Sequence, residues 1–410
     1  MLGGGVAGLA AAHELRRLAP GIELQLLEAR QQLGGRILTE RDAQSGEPLE
    51  LGAEFVHGRP PALLAALREA GIAIEGGDRR ADSESSPFAV LPRLLVPFLA
   101  GGKPDLAIGA FLRAQALPAH QREMLRGYVR GFYVAPVESA STRAIARMEV
   151  AAQAIDGGRA AQLQDGYQAL VHWLAKALQP EELRLGTFAT GVSWKPGSVA
   201  VLARSLAGAR LPPLKAEAAI IALPFTALTR QAGALALSPS VPEKRRAADS
   251  LRMGHATKVL LRFDGSVRTE SFFYSGGSIP VWWTAAAPGT RWLVGWAGGR
   301  AAEALDRLSD GAVLRAGLSA VANHTGRDKR DLARALTGFR WVPWSREPFI
   351  KGAYAVVPVG ADGAMDALAK PVAETLYFAG EATDAEHAGT VHGAFESGVR
   401  AARQVLSGAS

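Results

Sequence analysis

The sequence predicts an α/β fold, a parallel sheet interrupted by an inserted α+β unit, and three observations carry that expectation. A glycine-rich turn, Gly3-Gly4-Gly5-Val6-Ala7-Gly8, opens the chain and runs straight into an apolar helix. A buried strand pattern, IELQLLEA, follows and ends in the acid Glu28. Near the other end a second buried strand, LYFAGE, leads through a turn into another helix, GTVHGAFESGVRAA.

Composition sets the bounds. A chain of 410 residues suits two interwoven units or one large one. With 48% hydrophobic and 21% charged residues it can bury a sizeable core, which excludes a disordered chain. The net charge is +7, but the basic residues are scattered, with no run longer than Arg79-Arg80 or Lys244-Arg245-Arg246. Nucleic-acid binding needs a concentrated basic stripe, so no nucleic acid is expected as partner. There is no cysteine, which excludes disulfides, thiolate metal sites, cysteine nucleophiles and thioether-linked cofactors. No metal site is expected. The start shows no basic-then-apolar leader pattern, and no apolar run approaches the ~20 residues of a membrane helix. The apolar stretch from Phe88 to Gly102 is broken by Pro92, Arg93 and Pro97 and reads as buried or pocket-lining. A cytoplasmic location without membrane association is the expectation.

The opening turn fits G-x-G-x-x-G. Its first glycine permits a tight turn and its second lets backbone approach a pyrophosphate. The third lets the helix pack closely, with free N–H groups facing the phosphates. Consecutive glycines also occur in ordinary loops, so context decides. Val6, Leu9, Ala10, Ala12, Leu15 and Leu18 give a helical period that Pro20-Gly21 ends. Glu28 then stands about 20 residues beyond the last glycine, where a dinucleotide fold places the carboxylate that binds ribose hydroxyls. Directly after it, Gly34-Gly35-Arg36 offers a second close backbone approach to phosphate, which a nicotinamide enzyme does not require.

With these residues the chain resembles the flavin-containing amine oxidase family, which includes monoamine oxidases, polyamine oxidases and histone-demethylase-like enzymes. The resemblance implies FAD, with Gly3, Gly5, Val6, Ala7 and Gly8 at the pyrophosphate. Glu28 would lie on the adenosine ribose, and Arg30, Gly35 and Arg36 near the phosphates. In that family a strand of about five residues precedes the glycines. Here only Met1 and Leu2 do, so a Rossmann-like domain with its first strand missing is expected. The native polypeptide is accordingly expected to start upstream, and FAD affinity to suffer without that strand.

The similarity continues along the chain. LELGAEFVHG resembles the segment beside the isoalloxazine, placing Gly52, Ala53, Glu54 and Phe55 there; Glu54 and His57 are either side chains that reach the active site or a solvated acid and a structural histidine. Residues 165–170, DGYQAL, resemble the turn and helix that re-enter the cofactor domain, and in LRLGTFATGVSW the backbone of Ala189 would meet the adenine. AEAAIIALPFTAL resembles the strand that leaves that domain. In GHATKVLLRF, Lys258 is either a lysine on the solvent face of an edge strand or, by resemblance, the ammonium that holds a water at flavin N5. The surrounding residues favour the second. Tyr354 would face the flavin and Trp344 would support that wall, while Ala353 stands where monoamine oxidases attach flavin through cysteine. The FAD is therefore noncovalent. Of Trp282, Trp283, Trp292 and Trp296, one or two are expected in the pocket and the rest in the core. Gly380 and Glu381 would contact the ribityl-phosphate, and Thr390 and Val391 would begin a helix aimed at the flavin pyrimidine carbonyl. Thr390 replaces the second cage tyrosine of monoamine oxidases, which leaves the cage half open and argues against a small arylalkylamine specialist.

The expected cofactor domain comprises residues 1–75, 160–225 and 362–410, and the expected substrate domain 76–159 and 226–361. The implied reaction moves hydride from an amine-bearing carbon to flavin N5. The imine then hydrolyses, and oxygen reoxidises the flavin to give hydrogen peroxide. Partners are thus a small amine, such as a polyamine, and oxygen. For a polyamine's distal ammonium groups, Glu54, Asp78, Asp82 and Glu84 are the candidate acids. The alternatives are an isoprenoid desaturase sharing the first motif and a flavin-free binding module keeping the fold. Lys258 disfavours both: TVHGA argues further against the desaturase, and Tyr354 with the intact C-terminal segment against the module. A nicotinamide dehydrogenase fails on Gly34-Gly35-Arg36. The sequence does not disclose an oligomeric state.

Overall fold

The computed structural model describes residues 1–80, 86–100, 102–231, 233–267, 272–285 and 292–408, with the side chains of 77–80 set aside. Asp82 and Glu84 lie outside the described residues, as does the side chain of Asp78.

A parallel sheet organises one half. Leu26–Leu27 pairs with Leu183–Arg184, and Ala219–Ile221 pairs with Leu376–Phe378. Between these two pairs sits Leu2, bridged in parallel to both Leu27 and Ile221. The Leu2 N–H donates to Ile220 O at 2.9 Å, the Gly3 N–H to Leu27 O at 2.8 Å and the Ala222 N–H to Leu2 O at 2.8 Å. The central place that the sequence suggested would be vacant is therefore taken by residues 1–3, as a very short segment. It ends at Gly3, whose φ of +104° turns the chain out of the sheet.

The helix Val6–Leu18 follows, with Leu9, Ala10, Ala11, Ala12 and Leu15 buried. It packs against the last helix, Val391–Gly408, at backbone distance, because a Cβ at Gly398 would lie only 2.1 Å from Ala7 O. A four-stranded sheet flanks this half, in the order Leu214–Ala216, Ser198–Ser205, Thr187–Lys195, Ala236–Ser238.

The other half holds a five-stranded sheet and a group of helices. The sheet order is Phe272–Tyr274, Val281–Thr284, Trp292–Gly298, Ala256–Phe263, Leu336–Trp341. Ala256–Phe263 is thus flanked on both sides. Its alternate residues Val259, Leu261 and Phe263 pack in one cluster with Val313, Leu318 and Val321 of the helix Asp310–Thr325. Leu260 packs the opposite way, in a cluster with Leu49 and Leu51, so Lys258, sharing its parity, faces the chain segment around residues 49–54. The apolar stretch at Phe88 is a core helix, Pro87–Ala100, packed on the helix Thr142–Ala154 despite its two internal prolines. Among the described residues no helix is long and apolar enough to cross a membrane.

Candidate active site

The glycines form the cradle their spacing suggests. Gly5 precedes the first helix in extended conformation and offers no side-chain cap, so the first-turn N–H groups stay available to an anion. A Cβ at Gly8 would lie 2.0 Å from Gly3 O, so only glycine fits where the helix folds back on the turn. The second glycine pair locks onto the first. The Gly34 N–H donates to Gly4 O at 2.9 Å, and a Cβ at Gly35 would sit 3.2 Å from Gly5 Cα. Glu28 is buried beneath them and accepts from the Gly4 N–H at 2.7 Å and the Arg30 N–H at 2.8 Å. Burial pushes its carboxyl up despite these donors.

Distant segments converge on this cradle. Arg30 donates to Gly35 O at 2.8 Å and pairs with Glu347. The Arg36 guanidinium donates to Ala353 O and to Glu381 at 3.0 Å, and Glu381 also accepts from the Gly389 N–H at 3.1 Å. The Arg36 carbonyl accepts from the Ala53 N–H at 3.1 Å, and a Cβ on Gly52 would lie 2.1 Å from that carbonyl oxygen. Gly380 turns with φ +123° and donates to Ser397 Oγ at 2.8 Å. Ala189 lies at a β-bulge in Thr187–Lys195, and the Thr187 N–H donates to Glu28 O at 2.9 Å. Thr390 accepts from the Gly393 N–H at 3.0 Å and donates to His387 O at 2.7 Å. Its hydroxyl is thus engaged in capping the helix that Val391 opens. A glycine cradle, an uncapped helix start and a buried ribose-type acid fit FAD: residues 3–8, Glu28, Arg30, Gly35 and Arg36 would hold its adenosine and phosphates, and Gly380, Glu381 and Val391 its flavin end.

Lys258 occupies a strand paired on both sides and buried at every position but Arg262, so the edge-strand reading fails. Its ammonium donates to Glu54 at 2.5 Å and to Glu50 O at 3.0 Å. Both partners of this ion pair are under 5% exposed. The other Glu54 oxygen accepts from Gln162 at 2.6 Å and from Trp283 Nε1 at 2.8 Å. Glu50 O, Gln162 and Trp283, three groups from three parts of the chain, thus satisfy one buried charge pair. Glu50, facing Thr39 and the Tyr167 N–H, is pushed up to about 7 by burial.

From Lys258 a row of aromatic rings leads away. The ammonium lies 5.9 Å from the Trp283 ring, Trp283 meets Phe55 at 5.6 Å, and Phe55 meets His57 at 6.0 Å. His57 meets Phe132 edge-on at 5.4 Å, Phe132 stacks on Tyr128 at 5.0 Å, and Tyr133 lies 5.3 Å from Phe132. Burial lowers His57 to about 4, so it is a neutral ring at pH 7. Tyr354 donates to Phe132 O at 2.5 Å, and its ring lies against Gly389, where a Cβ would come within 2.7 Å. Tyr133 and Tyr354 line one cavity with Met148 and Ala388. Trp344 is buried and donates to Leu51 O at 3.1 Å, behind the segment that carries Glu54. Of the four tryptophans, Trp283 and Trp296 border Lys258 (Trp296 is its cross-strand partner), while Trp282 lies in the core and Trp292 binds Asp42 at 2.5 Å. Sequence reasoning missed Glu50, Tyr128, Phe132, Tyr133, Glu149 and Gln162. The aromatic spacing in RGYVRGFYV was the available signal for three of them.

Known proteins match along the whole length. The family described as flavin containing amine oxidoreductase matches residues 6–91 and 103–406. Lysine-specific histone demethylase 2 of Homo sapiens is 27% identical over 99% of this chain, which spans 53% of that protein's length. Polyamine oxidase 1 of Oryza sativa subsp. japonica is 26% identical over 99% of this chain and 96% of its own. Among solved structures, a double mutant of putrescine oxidase matches with a TM-score of 0.82 at 20% identity, over 99% of this chain and 98% of that one. Cyclohexylamine oxidase from Brevibacterium oxydans IH-35A gives 0.82 at 18%, with the same coverage. The structural likenesses bear on the fold, and the family match covers the cradle from Val6 onward, with Gly34 and Gly35, and the Lys258 site. The chain belongs to the flavin-containing amine oxidoreductase family, with FAD as its cofactor.

Proposed function

We propose that the protein oxidises the amine-bearing carbon of a primary or secondary amine, a polyamine or related diamine being the substrate class, with oxygen as electron acceptor. The observation that carries this reading is Lys258, buried and held by Glu54 beside the aromatic row and the cofactor-binding segments. Bound FAD supplies the hydride acceptor and the means of returning electrons to oxygen. The chain's own residues do the rest. Trp283, Phe55, His57, Phe132 and Tyr354 make an apolar, π-faced wall that orients an alkyl chain and excludes water. Burial against such rings lowers the pKa of a substrate ammonium and favours the neutral amine, whose lone pair assists hydride departure. Two donors of the Lys258 ammonium are fixed on Glu54 and Glu50, so the third has a defined direction. No general base is required, and the supporting relatives include a polyamine oxidase at near full length.

The test is the visible spectrum of purified protein, followed by anaerobic addition of amines. A flavin band bleached by a diamine or polyamine supports the reading. A band that no amine bleaches moves the assignment to a desaturase, and a protein that binds no added FAD points to the binding module.

A further inference from the structure

At the start of the last helix, Val391–Gly408, three side chains of metal-ligating type meet outside the site already described. Asp384 Oδ2 lies 3.5 Å from His387 Nδ1, and that nitrogen lies 4.0 Å from Glu396 Oε2. All three atoms fall within 4.8 Å of one another. The His387 and Asp384 side chains are only 18% and 16% exposed, so water reaches little of either. The other Asp384 oxygen accepts from the N–H groups of Glu386 at 3.1 Å and His387 at 3.0 Å, which leaves Oδ2 for the cluster. Elsewhere the fold answers its buried carboxylates itself. Glu28 is met by backbone N–H groups, Glu54 by Lys258, Glu381 by Arg36, Asp42 by Arg262, and Glu149 by the Tyr133 hydroxyl at 2.7 Å without a cation. Among the described residues, no lysine or arginine pairs with Asp384 or Glu396. Arg400, whose charge is felt at Asp384, gives its hydrogen bonds to Thr383 and to Phe378 O.

A second observation stands beside the cluster. His392 is 4% exposed and has no hydrogen-bond partner among the described residues, and its ring lies across that of His387 at 4.9 Å. A buried polar ring without a partner is costly unless a water or an ion meets it. One imidazole and two carboxylates make a mixed N,O donor set of zinc type, whereas calcium and magnesium take oxygen. Tetrahedral ligands at zinc distances stand about 3.3 Å apart, so the observed spacings close with small side-chain rotations. The lack of cysteine removed thiolate sites only, and this donor set needs none. We infer that Asp384, His387 and Glu396 bind one zinc-type divalent ion, with water in the open position and the His392 ring facing that water. The ion joins the loop 384–390 to the helix. His387 already braces the helix start, because its carbonyl accepts from Thr390 Oγ1 at 2.7 Å and a Cβ on Gly393 would lie 2.3 Å from it. The site departs from the expectation that the chain holds no metal, and it does not depend on the amine-oxidase reading.

The experiment titrates zinc chloride into untagged, FAD-loaded, chelator-treated protein by calorimetry, with magnesium and calcium chloride as comparisons. The wild type should bind one zinc per chain, at least about tenfold tighter than either comparison ion, and saturating zinc should raise its melting temperature. Removing an outer partner of a metal site already costs about ten- to a hundredfold in affinity, so Glu396→Gln and His387→Ala should each weaken zinc at least about tenfold and lose the melting shift. Glu396→Gln changes a partly exposed side chain and tests the site even if His387→Ala does not fold. No saturable zinc binding by the wild type overturns the inference and leaves the three residues an ion-pair cluster only. Zinc held undiminished by either folded variant overturns it as well, and equal affinity for calcium overturns the zinc-type assignment. None of these readouts requires an amine to bleach the flavin, so the amine-oxidase reading stands or falls separately.

Discussion

At the scale of single residues, the Lys258–Glu54 pair makes a sharp demand. Both groups are under 5% exposed, so removing one strands the other's charge or donors in a low-dielectric interior. Glu54→Gln should cost about 3 kcal/mol of folding stability, the lower end for breaking a buried pair, read as a lowered urea midpoint. Lys258→Met should cost less, because Glu54 keeps Gln162 and Trp283 as donors. The double variant should recover part of the Glu54→Gln loss, and a strictly additive cycle would refute the coupling. Titration gives a second test. Burial pushes Glu149 up to about 7, and Glu50 likewise, from the ordinary 4.5. An acid raised in the fold keeps its proton longer there than in the unfolded chain. Stability is therefore greatest below pH 4.5 as far as these groups decide it, and falls as pH climbs from there to 7. Each contributes at most about 3 kcal/mol to that fall. Glu149→Gln should flatten the slope over this window, measured by thermal unfolding at several pH values, and an unchanged slope would count against the buried, unpaired state. Lys258 was legible in the sequence because a lysine interrupts an otherwise apolar strand. Glu149 was not: a single acid on a helix looks like a solvated residue until the helix's neighbours are known.

At the scale of elements, backbone contact explains more than side chains do. Gly398 lets the last helix touch Ala7 O, and any side chain there must push the two helices apart. Gly398→Ala should cost about 1–3 kcal/mol, as overpacking in a tight interface does, and should also weaken FAD retention if, as proposed, the starts of both helices hold the cofactor. Urea unfolding and the ratio of flavin to protein absorbance after gel filtration check the two parts. The glycine turn, the Glu28 strand and the closing helix were readable because each needs a distinct local pattern: a tight turn, a buried run, a small-residue stripe. The place of residues 1–3 was not readable. Sheet membership there depends on Leu27 and Ile221, which are remote in sequence and supply its hydrogen bonds. The row from Trp283 to Tyr133 was hidden for the same reason, since it draws on three separate segments.

At the scale of the whole molecule, FAD should act as a structural component. The residues proposed to hold it come from residues 3–8, 28–36, 52–55 and 380–391, so the ligand would tie further together segments that hydrogen bonds such as Gly34–Gly4, Ala53–Arg36 and Arg36–Glu381 already join. A ligand that binds only the folded state at a hundred times its Kd adds about 2.7 kcal/mol. Stripping the flavin should therefore lower the melting temperature by several degrees, and adding FAD back should restore it. An unchanged melting curve would mean that the cradle is not the binding site.

The closeness of the first and last helices also bears on time. A ribosome delivers Gly3–Gly8 long before Gly398, and the opening helix, which packs first on the helix Gln168–Ala175, completes its packing surface only once the helix Val391–Gly408 exists. Between the two, the nascent chain must carry an unfinished nucleotide pocket with apolar Leu9, Ala10 and Leu15 only partly covered. A chain halted before Gly380 should emerge colourless in the presence of FAD, and extending it through the helix Val391–Gly408 should turn it yellow.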